Sequence, residues 1–249
     1  RARYMEALGE EMAAEAARYR AYRVSTVFVG GGTPSVLSAA QLTDIFSCLR
    51  AHYAMEAEAE ITIEMNPGTV TEEKLAACRE AGVNRISLGL QSADNRELKR
   101  IGRTHTWEDF LEAYRMCAAA GFANLNVDLI SALPGQTRES WRRTLQTAVS
   151  LRPVPAHISA YSLIIEEGTP FYALYGPDSG GCAAGGLGGG LAAQAHRQGA
   201  ALSGCAQGQG SGVPQLQIQP PVGGLLVPKL YHVSNSSHSD LAVICSRPF

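Results

Sequence analysis

Neither sign of charge dominates this sequence, and it has no long apolar run. Its 249 residues carry 21 Lys and Arg against 23 Asp and Glu, a net charge of −2 with His neutral. Such a chain lacks the basic field that nucleic-acid binding needs, which excludes that class of partner. No stretch reaches the roughly 20 apolar residues of a membrane-spanning helix, and the N-terminus has no signal-peptide pattern. We therefore expect a cytoplasmic protein without a membrane span.

The six cysteines lack any metal-binding spacing. No two of them lie within four residues of each other, which excludes CxxC and CxxxCxxC motifs from this sequence. Cys48, Cys78 and Cys117 each fall in a segment of helical periodicity among apolar neighbours. In that setting a thiol behaves as a small buried hydrophobe. We predict that these three are buried free thiols and that this chain holds no metal ligands.

Strand-like and helix-like segments alternate as far as about residue 175. The strand candidates are Thr26–Val29, Ile61–Glu64, Arg85–Gln91, Asn124–Ile130 and His157–Ile165. Strands that are separated by helices pair in parallel through right-handed crossovers. The alternation therefore predicts an α/β fold, either part of a β/α barrel or a doubly wound sheet.

The helices between these strands have recognisable sequence signals. Thr71 and Thr106 precede acidic residues, as helix N-caps do, and Gly82 and Gly121 stand where helices end. One helix shows the i, i+3, i+4, i+7 spacing of a single buried face, with Leu42, Ile45, Phe46 and Leu49. These signals support the strand–helix alternation.

The strand phases favour the barrel over the doubly wound sheet. Parallel strands buried on both faces usually read as continuous apolar runs, whereas Ser87, Gly89 and Gln91 share one face of their strand. Glu64 and Asp128 lie near the carboxyl ends of two other strands, where barrel enzymes keep their sites. We predict a partial (β/α)6 TIM-like barrel with a site among these polar residues. The alternative is that they form a hydrogen-bonded or water-filled interior without chemistry.

The alternation opens on a helix rather than a strand. We therefore expect that the first strand is missing, and that it and the loop after it lie upstream of Arg1.

Residues 1–175 form one predicted unit, the partial barrel. Residues 176–249 form a glycine-rich, low-complexity tail with few charges. We interpret this tail as a product of a shifted reading frame, with a disordered linker as the alternative.

A glycine-rich turn, Gly30-Gly31-Gly32-Thr33-Pro34, follows the first predicted strand. Glycines let the backbone approach a ligand closely and leave its amides accessible. The turn is not a P-loop, because no Gly-Lys-Ser/Thr follows it. Ser35 also replaces the third glycine of the dinucleotide fingerprint. By itself the turn fits a structural role as well as a binding site.

Further motifs follow in barrel order: Glu64-Met65-Asn66-Pro67-Gly68, SLGLQS at 87–92, GRTH at 102–105, DLISALPGQT at 128–137, HISAYSL at 157–163 and EGTPFY at 167–172. With this ordered set, residues 1–175 resemble the radical S-adenosylmethionine (SAM) proteins. Within them, the resemblance is to the group that joins haem chaperones to oxygen-independent coproporphyrinogen III oxidases. The SALPGQT and HISAYSL segments are more similar to the chaperone branch.

The resemblance implies a SAM site to which Gly31, Gly32, Thr33, Glu64, Gln91, Arg103 and Asp128 contribute. The glycine turn would meet the amino end of SAM, and Glu64 would accept hydrogen bonds from the ribose hydroxyls. A surface position is the alternative for Arg103. We interpret His105 as a local hydrogen-bonding partner and Tyr161 as barrel packing. Trp107 and Trp141 are interpreted as core anchors, and no residue is assigned as catalytic.

The resemblance also implies a [4Fe–4S] cluster, held by a CxxxCxxC loop that we expect upstream of Arg1. The implied function is to bind SAM, the cluster and haem, and to deliver haem to an apo-haem protein. The alternative is oxidative decarboxylation of a porphyrinogen, coproporphyrinogen III, which leaves enzymatic activity open. A cluster-free barrel that binds a nucleotide-like ligand also fits the residues present. Without the cysteine loop, we expect this fragment itself to be inactive.

Overall fold

The structure is a computed structural model that describes residues 2–165, 167–175, 229–230 and 241–244. Its main strands are β1 (Val24–Gly31), β2 (Met55–Met65), β3 (Arg85–Gln91), β4 (Asn124–Ser131) and β5 (His157–Ser162). The helices are α1 (Ala2–Ala16), α2 (Ala39–His52), α3 (Glu72–Glu80), α4 (Asn95–Arg100), α5 (Trp107–Ala119), α6 (Arg138–Val149) and α7 (Pro170–Tyr175). Short 3-10 turns occupy Ala17–Tyr19, Pro34–Val36 and Pro67–Thr69.

The strands β1 to β5 form one parallel sheet in which neighbours in the chain are neighbours in space. The sheet curls into part of a barrel with helices around it. The predicted partial β/α barrel is therefore confirmed, and the doubly wound alternative is wrong. A doubly wound sheet reverses its strand order at a switch point, whereas here the order runs from β1 to β5 without reversal.

Two short strands lie in the segment for which the sequence predicted no regular structure. They are β6 (Lys229–Leu230) and β7 (Leu241–Ile244), and β7 pairs antiparallel with the carboxyl end of β1 through Gly30 and Gly31. Both strands are antiparallel, so they do not continue the parallel β/α alternation. The rest of residues 176–249, to which the interpretation as a shifted or disordered tail applies, lies outside the described residues.

The predicted helix signals act as expected. The Thr71 hydroxyl accepts a hydrogen bond from the Lys74 amide at the start of α3, and Thr106 forms a reciprocal capping box with Asp109 at the start of α5. Gly82 and Gly121 follow α3 and α5 with φ of 81° and 85°, a conformation that glycine adopts at little cost. These caps satisfy backbone groups that the helix itself leaves unpaired.

The two faces of the sheet differ in chemistry. The face under the helices, which we call the convex face, presents aliphatic side chains: Val27, Val29, Ile61, Ile63, Ile86, Leu88, Leu90, Leu125, Val127 and Leu129. They pack with the predicted stripe of α2, whose members are at most 2% exposed: Leu42, Ile45, Phe46 and Leu49. Burial of each such side chain contributes roughly 1.5–3 kcal/mol. The opposite, concave face presents the polar residues that the strand phases predicted.

Candidate functional site

The glycine-rich turn after β1 contacts the end of β2 directly. The Gly31 amide donates a hydrogen bond to Glu64 Oε2 over 3.1 Å, and Gly31 has φ of 107°. A Cβ atom built on Gly30 would lie 2.8 Å from the Glu64 carboxyl carbon and would overlap the Phe28 ring. Any larger residue at position 30 would therefore displace the Phe28 ring and the Glu64 carboxylate, an effect that the sequence alone could not show.

Ser35 joins the glycine turn to the turn after β2. Its hydroxyl accepts a hydrogen bond from the Asn66 amide over 2.9 Å and one from the Thr69 hydroxyl over 2.5 Å. The Lys74 ammonium then donates to the Ser35 and Thr69 carbonyls over 2.6 and 3.0 Å. Ser35 is completely buried. The serine that breaks the dinucleotide fingerprint thus fixes two loops of the site to each other.

Gln91 ends β3 in an unusual conformation. Its φ is 67°, and it is one of two non-glycine residues with positive φ among those described. The side chain is 4% exposed, and its Oε1 has no hydrogen-bond partner within the described part of the chain. Gly89 makes room for it, since a Cβ there would lie 2.8 Å from Gln91 Nε2. Gln91 thus presents a buried acceptor that a ligand could satisfy.

Asp128 on β4 is oriented by its neighbours on the concave face. Ser87 Oγ donates to Asp128 Oδ2 over 2.6 Å, and Asn126 Nδ2 donates to Asp128 Oδ1 over 2.8 Å. Because the Asn126 amide nitrogen faces this carboxylate, its oxygen faces His157 Nδ1, 2.6 Å away. The same Nδ1 atom lies 3.2 Å from Arg85 Nη2, which can only donate, so Nδ1 donates to Asn126 in one tautomer and accepts from Arg85 in the other. Burial, followed by the Arg85 charge, lowers the pKa of His157, which favours the neutral ring.

Arg103 and Tyr161 interact electrostatically with Asp128. Burial lowers the pKa of Arg103, while Tyr161 and Asp128 act to raise it. Burial together with the Asp128 and Glu64 carboxylates raises the pKa of Tyr161 to about 12, and Arg103 acts against them. The two side chains therefore lie within electrostatic range of Asp128, and Arg103 is not an isolated surface residue. The interpretation of Tyr161 as barrel packing is wrong, because its side chain is 49% exposed on the concave face.

Burial also raises the pKa of Glu64. The hydrogen bond from the Gly31 amide partly offsets this rise, and the Asp128 charge adds to it. A hydrogen bond thus joins Gly31 to Glu64, and electrostatic interactions link both Glu64 and Arg103 to Asp128. Gln91 lies at the carboxyl end of the intervening strand. Gly32 and Thr33 continue the turn and are half-buried. Thr33 accepts a hydrogen bond from the Val36 amide through its carbonyl, and it makes no described contact with the carboxylates.

His105 and the tryptophans have the roles that the sequence suggested. His105 is 3% exposed, with Nε2 3.4 Å from the Leu90 carbonyl and Nδ1 without a described partner. Burial lowers its pKa. Trp107 stacks on Phe110 with ring centroids 5.6 Å apart, and Trp141 packs against the same core.

One buried acidic residue, Glu97 on α4, was not predicted from the sequence. It is 3% exposed, and it accepts hydrogen bonds from Ser92 Oγ, Ser140 Oγ and Gln136 Nε2 over 2.6, 2.6 and 3.0 Å. Ser92 and Gln136 belong to the SLGLQS and DLISALPGQT motifs. A glutamate in a short polar helix has no apolar periodicity that would predict its burial. Only its two motif partners, Ser92 and Gln136, pointed to this position.

The described residues contain no group of three or more His, Cys, Asp or Glu side chains that could hold a metal ion. Cys78 and Cys117 are fully buried free thiols, as predicted, whereas Cys48 is only partly buried. Burial raises the pKa of both buried thiols to about 12. The described residues therefore do not fit a [4Fe–4S] cluster. They do fit SAM, whose ribose and amino-acid groups match two carboxylates, a buried amide and an open glycine turn.

The parallel half-barrel and its polar concave face define the class of the protein. A family model for the Radical SAM superfamily matches residues 3–148, and the chain belongs to this family. Within the family, it is 40% identical over 168 residues to "Heme chaperone HemW" of Lactococcus lactis, covering 68% of this chain and 43% of that protein. The Escherichia coli protein of the same name is 38% identical, with shares of 68% and 44%.

A solved structure supports the same placement. Coproporphyrinogen III oxidase (HemN) from Escherichia coli superposes with a TM-score of 0.60 at 31% identity, covering 65% of this chain and 37% of that one. The chain spans less than half the length of each of these relatives. No helix among the described residues is long and apolar enough to cross a membrane. The predicted resemblance to this family is thereby confirmed.

Proposed function

We propose that this chain carries the SAM-binding part of a cytoplasmic haem chaperone of the radical SAM family. The observation that carries the proposal is the hydrogen bond from the Gly31 turn to Glu64, together with the electrostatic interactions of Glu64 and Arg103 with Asp128. Two carboxylates can accept hydrogen bonds from sugar hydroxyls or an ammonium group, and an arginine can pair with a carboxylate. The similarity to "Heme chaperone HemW" proteins supports haem as the cargo and an apo-haem protein as its acceptor.

Each residue has a distinct task in this proposal. Glu64 accepts hydrogen bonds from the ribose, and the Gly31–Thr33 turn approaches the amino end of SAM. Gln91, Arg103 and Asp128 line the remaining surface of the ligand. In this family a [4Fe–4S] cluster supplies the electron that cleaves SAM. Because the described residues do not fit that cluster, we assign no cleavage step to this chain.

The first test is binding of S-adenosylhomocysteine, which has the ribose and amino-acid groups of SAM but needs no cluster. We expect the chain to bind it, measured by calorimetry, and Glu64→Ala to weaken binding by roughly 1–3 kcal/mol, the cost of unpaired buried partners. Glu108→Ala removes an exposed carboxylate on α5 and is the matched control. Equal affinity for ATP would instead favour a general nucleotide-binding barrel. An absence of binding to the wild-type chain would contradict the proposal.

The similarity to coproporphyrinogen III oxidase in sequence and fold favours a second candidate, oxidation of a porphyrinogen. An oxidase must hold a propionate side chain in reach of the radical, since small misplacements cost orders of magnitude in rate. A full-length relative with the same motifs separates the two candidates in one anaerobic incubation with SAM and reductant. Haem transfer to an apo-acceptor without protoporphyrinogen supports the chaperone. Product at multiple turnovers without haem transfer supports the oxidase.

A further inference from the structure

Two strained turns lie at the site end of the sheet. Gln91 and Ala132, with φ of 67° and 59°, are the non-glycine residues with positive φ among those described. The Ser92 amide donates to the Leu90 carbonyl over 2.9 Å, so Gln91 is the centre of a γ-turn of the rare, strained hand. Ala132 follows the last residue of β4. Such conformations cost of order 1–3 kcal/mol and persist only where the surroundings enforce them.

Both turns are tied to the same carboxylate. Ser92, the residue after Gln91, is completely buried and donates to Glu97 Oε2 over 2.6 Å. Gln136 donates to the same oxygen over 3.0 Å. The Gln136 side chain also reaches back across the second turn, with Oε1 3.4 Å from the Leu133 amide and Nε2 3.4 Å from the Ile130 carbonyl. One acceptor thus joins the ends of β3 and β4.

A helix beyond the two strands anchors this acceptor. Ser140 on α6 donates to Glu97 Oε1 over 2.6 Å, and Thr144 on the same helix accepts from the Ala93 amide over 3.2 Å. The three hydrogen-bond donors to Glu97 are neutral. A carboxylate buried among neutral donors is costly compared with an apolar side chain, so packing alone does not account for it.

We propose that Glu97 is a positioning residue that holds the two strained turns in the geometry the ligand requires. It acts through Ser92 on Gln91, whose buried Oε1 is without a described partner, and through Gln136 on the loop that follows Asp128. This inference rests on the proposed function, because it assigns the ligand to the same site. Glu97 itself touches no predicted ligand-binding side chain, so its effect is transmitted through the two turns.

Two substitutions at position 97 separate positioning from mere filling of space. Glu97→Leu has a similar size but accepts no hydrogen bond. In Glu97→Gln, the side-chain oxygen can still accept from Ser92 and Gln136, while its amide donates to Ser140 Oγ. We expect Glu97→Leu to weaken S-adenosylhomocysteine binding by roughly ten-fold or more, since it leaves buried donors unpaired. Glu97→Gln should restore affinity to within about three-fold, and the exposed Glu108→Gln should leave it unchanged.

Hydrogen exchange of the backbone amides supplies a readout that needs no ligand. In Glu97→Leu, peptides covering 91–93 and 132–136 should exchange roughly ten-fold faster, while those covering β2 stay protected; Glu97→Gln should reverse this. Faster exchange with unchanged affinity would overturn the positioning role, and so would uniform loss of protection. If the wild-type chain binds no S-adenosylhomocysteine, the proposed function fails, and the exchange pattern still decides whether Glu97 holds the turns.

A third variant covers the case in which Glu97→Leu does not fold. Gln136→Met removes one of the three donors and leaves the Ser92–Glu97 hydrogen bond in place. We expect faster exchange at 132–136 with unchanged exchange at 91–93. If exchange changes equally in both segments, the claim that Glu97 holds each turn through its own hydrogen bond is contradicted.

Discussion

The convex and concave faces of the sheet are built from alternate residues of the same strands. On β3, Leu88 is completely buried in the convex core, while its neighbour Ser87 donates to the Asp128 carboxylate. On β2, Ile63 is completely buried, while Glu64 bonds to the Gly31 amide. Because successive side chains of a strand point to opposite faces, residues that stabilise the core alternate with residues that could contact a ligand. Substitutions one residue apart should therefore have separable effects.

The largest expected effect is on the convex face. Leu88→Ala should lower the free energy of unfolding by about 2–5 kcal/mol, because it leaves a cavity among close-packed side chains. Ser87→Ala, one residue earlier, should lower it by less, roughly 1.5 kcal/mol, the lower end for a hydrogen bond to a charged group, because Asn126 still donates to Asp128. Urea unfolding of the two variants gives the comparison. Equal losses would show that the two faces do not divide the roles as we argue.

The converse substitution is on the concave face. Asp128→Ala should weaken S-adenosylhomocysteine binding by roughly 1–3 kcal/mol, since it removes the acceptor for Ser87 and Asn126 and for the ligand. Leu125→Ala on the convex face of the same strand should lower stability without changing affinity in the folded protein. Calorimetry below the unfolding range measures both variants. Unchanged affinity in Asp128→Ala would mean that the ligand lies elsewhere.

A smaller effect concerns pH and His105. The pKa of this buried side chain lies below its usual value, because burial and the Arg103 charge disfavour the charged ring, although Leu90 and Asp109 favour it. The unfolded chain therefore binds the proton first, and stability is lost as pH falls below about 6.5. His105→Gln should flatten this loss, whereas His157→Gln, at a more exposed position, should retain most of it. Unfolding by urea from pH 7.5 to pH 5 is the measurement, and an unchanged slope in His105→Gln would contradict it.

The smallest effect is a gain in stability. Burial raises the pKa of Glu64, so the unliganded fold favours the protonated form and loses stability as pH rises through that pKa. Glu64→Gln keeps an acceptor for the Gly31 amide and should stabilise the unliganded protein by about 0.5–1 kcal/mol at neutral pH. The melting temperature with and without S-adenosylhomocysteine tests this. A lower melting temperature without ligand would show that the charge stabilises the fold.

The sequence predicted the features that have a period or a motif. Strand phase located Glu64 and Asp128 on one face, and the cap signals placed α3 and α5 correctly. Strand bounds were less accurate: β2 begins at Met55, six residues before the predicted Ile61. Its first part, Met55–Glu60, is mostly exposed. Apolar and acidic residues alternate there, but alanine and glutamate are poor strand formers, so the signal was weak.

Other features depend on contacts that no local pattern encodes. Tyr161 has the phase of a barrel-facing residue, but whether such an aromatic ring is packed or open depends on how far the barrel closes around it. Glu97 is an acidic residue in a six-residue polar helix, and its partners lie 5 to 43 residues away. Gly30 matters because of Phe28 and Glu64 rather than its own φ. In each case the tertiary neighbours, rather than the local sequence, set the role.

The two buried thiols, Cys78 and Cys117, also allow unfolding to be followed by chemical labelling. The thiolate is the nucleophile that attacks alkylating reagents, and with pKa values of about 12 the Cys78 and Cys117 thiols form very little thiolate. Both lie in the convex core, between the sheet and helices α3 and α5. Their labelling rate should therefore measure how often that core opens, residue by residue in a mass spectrum.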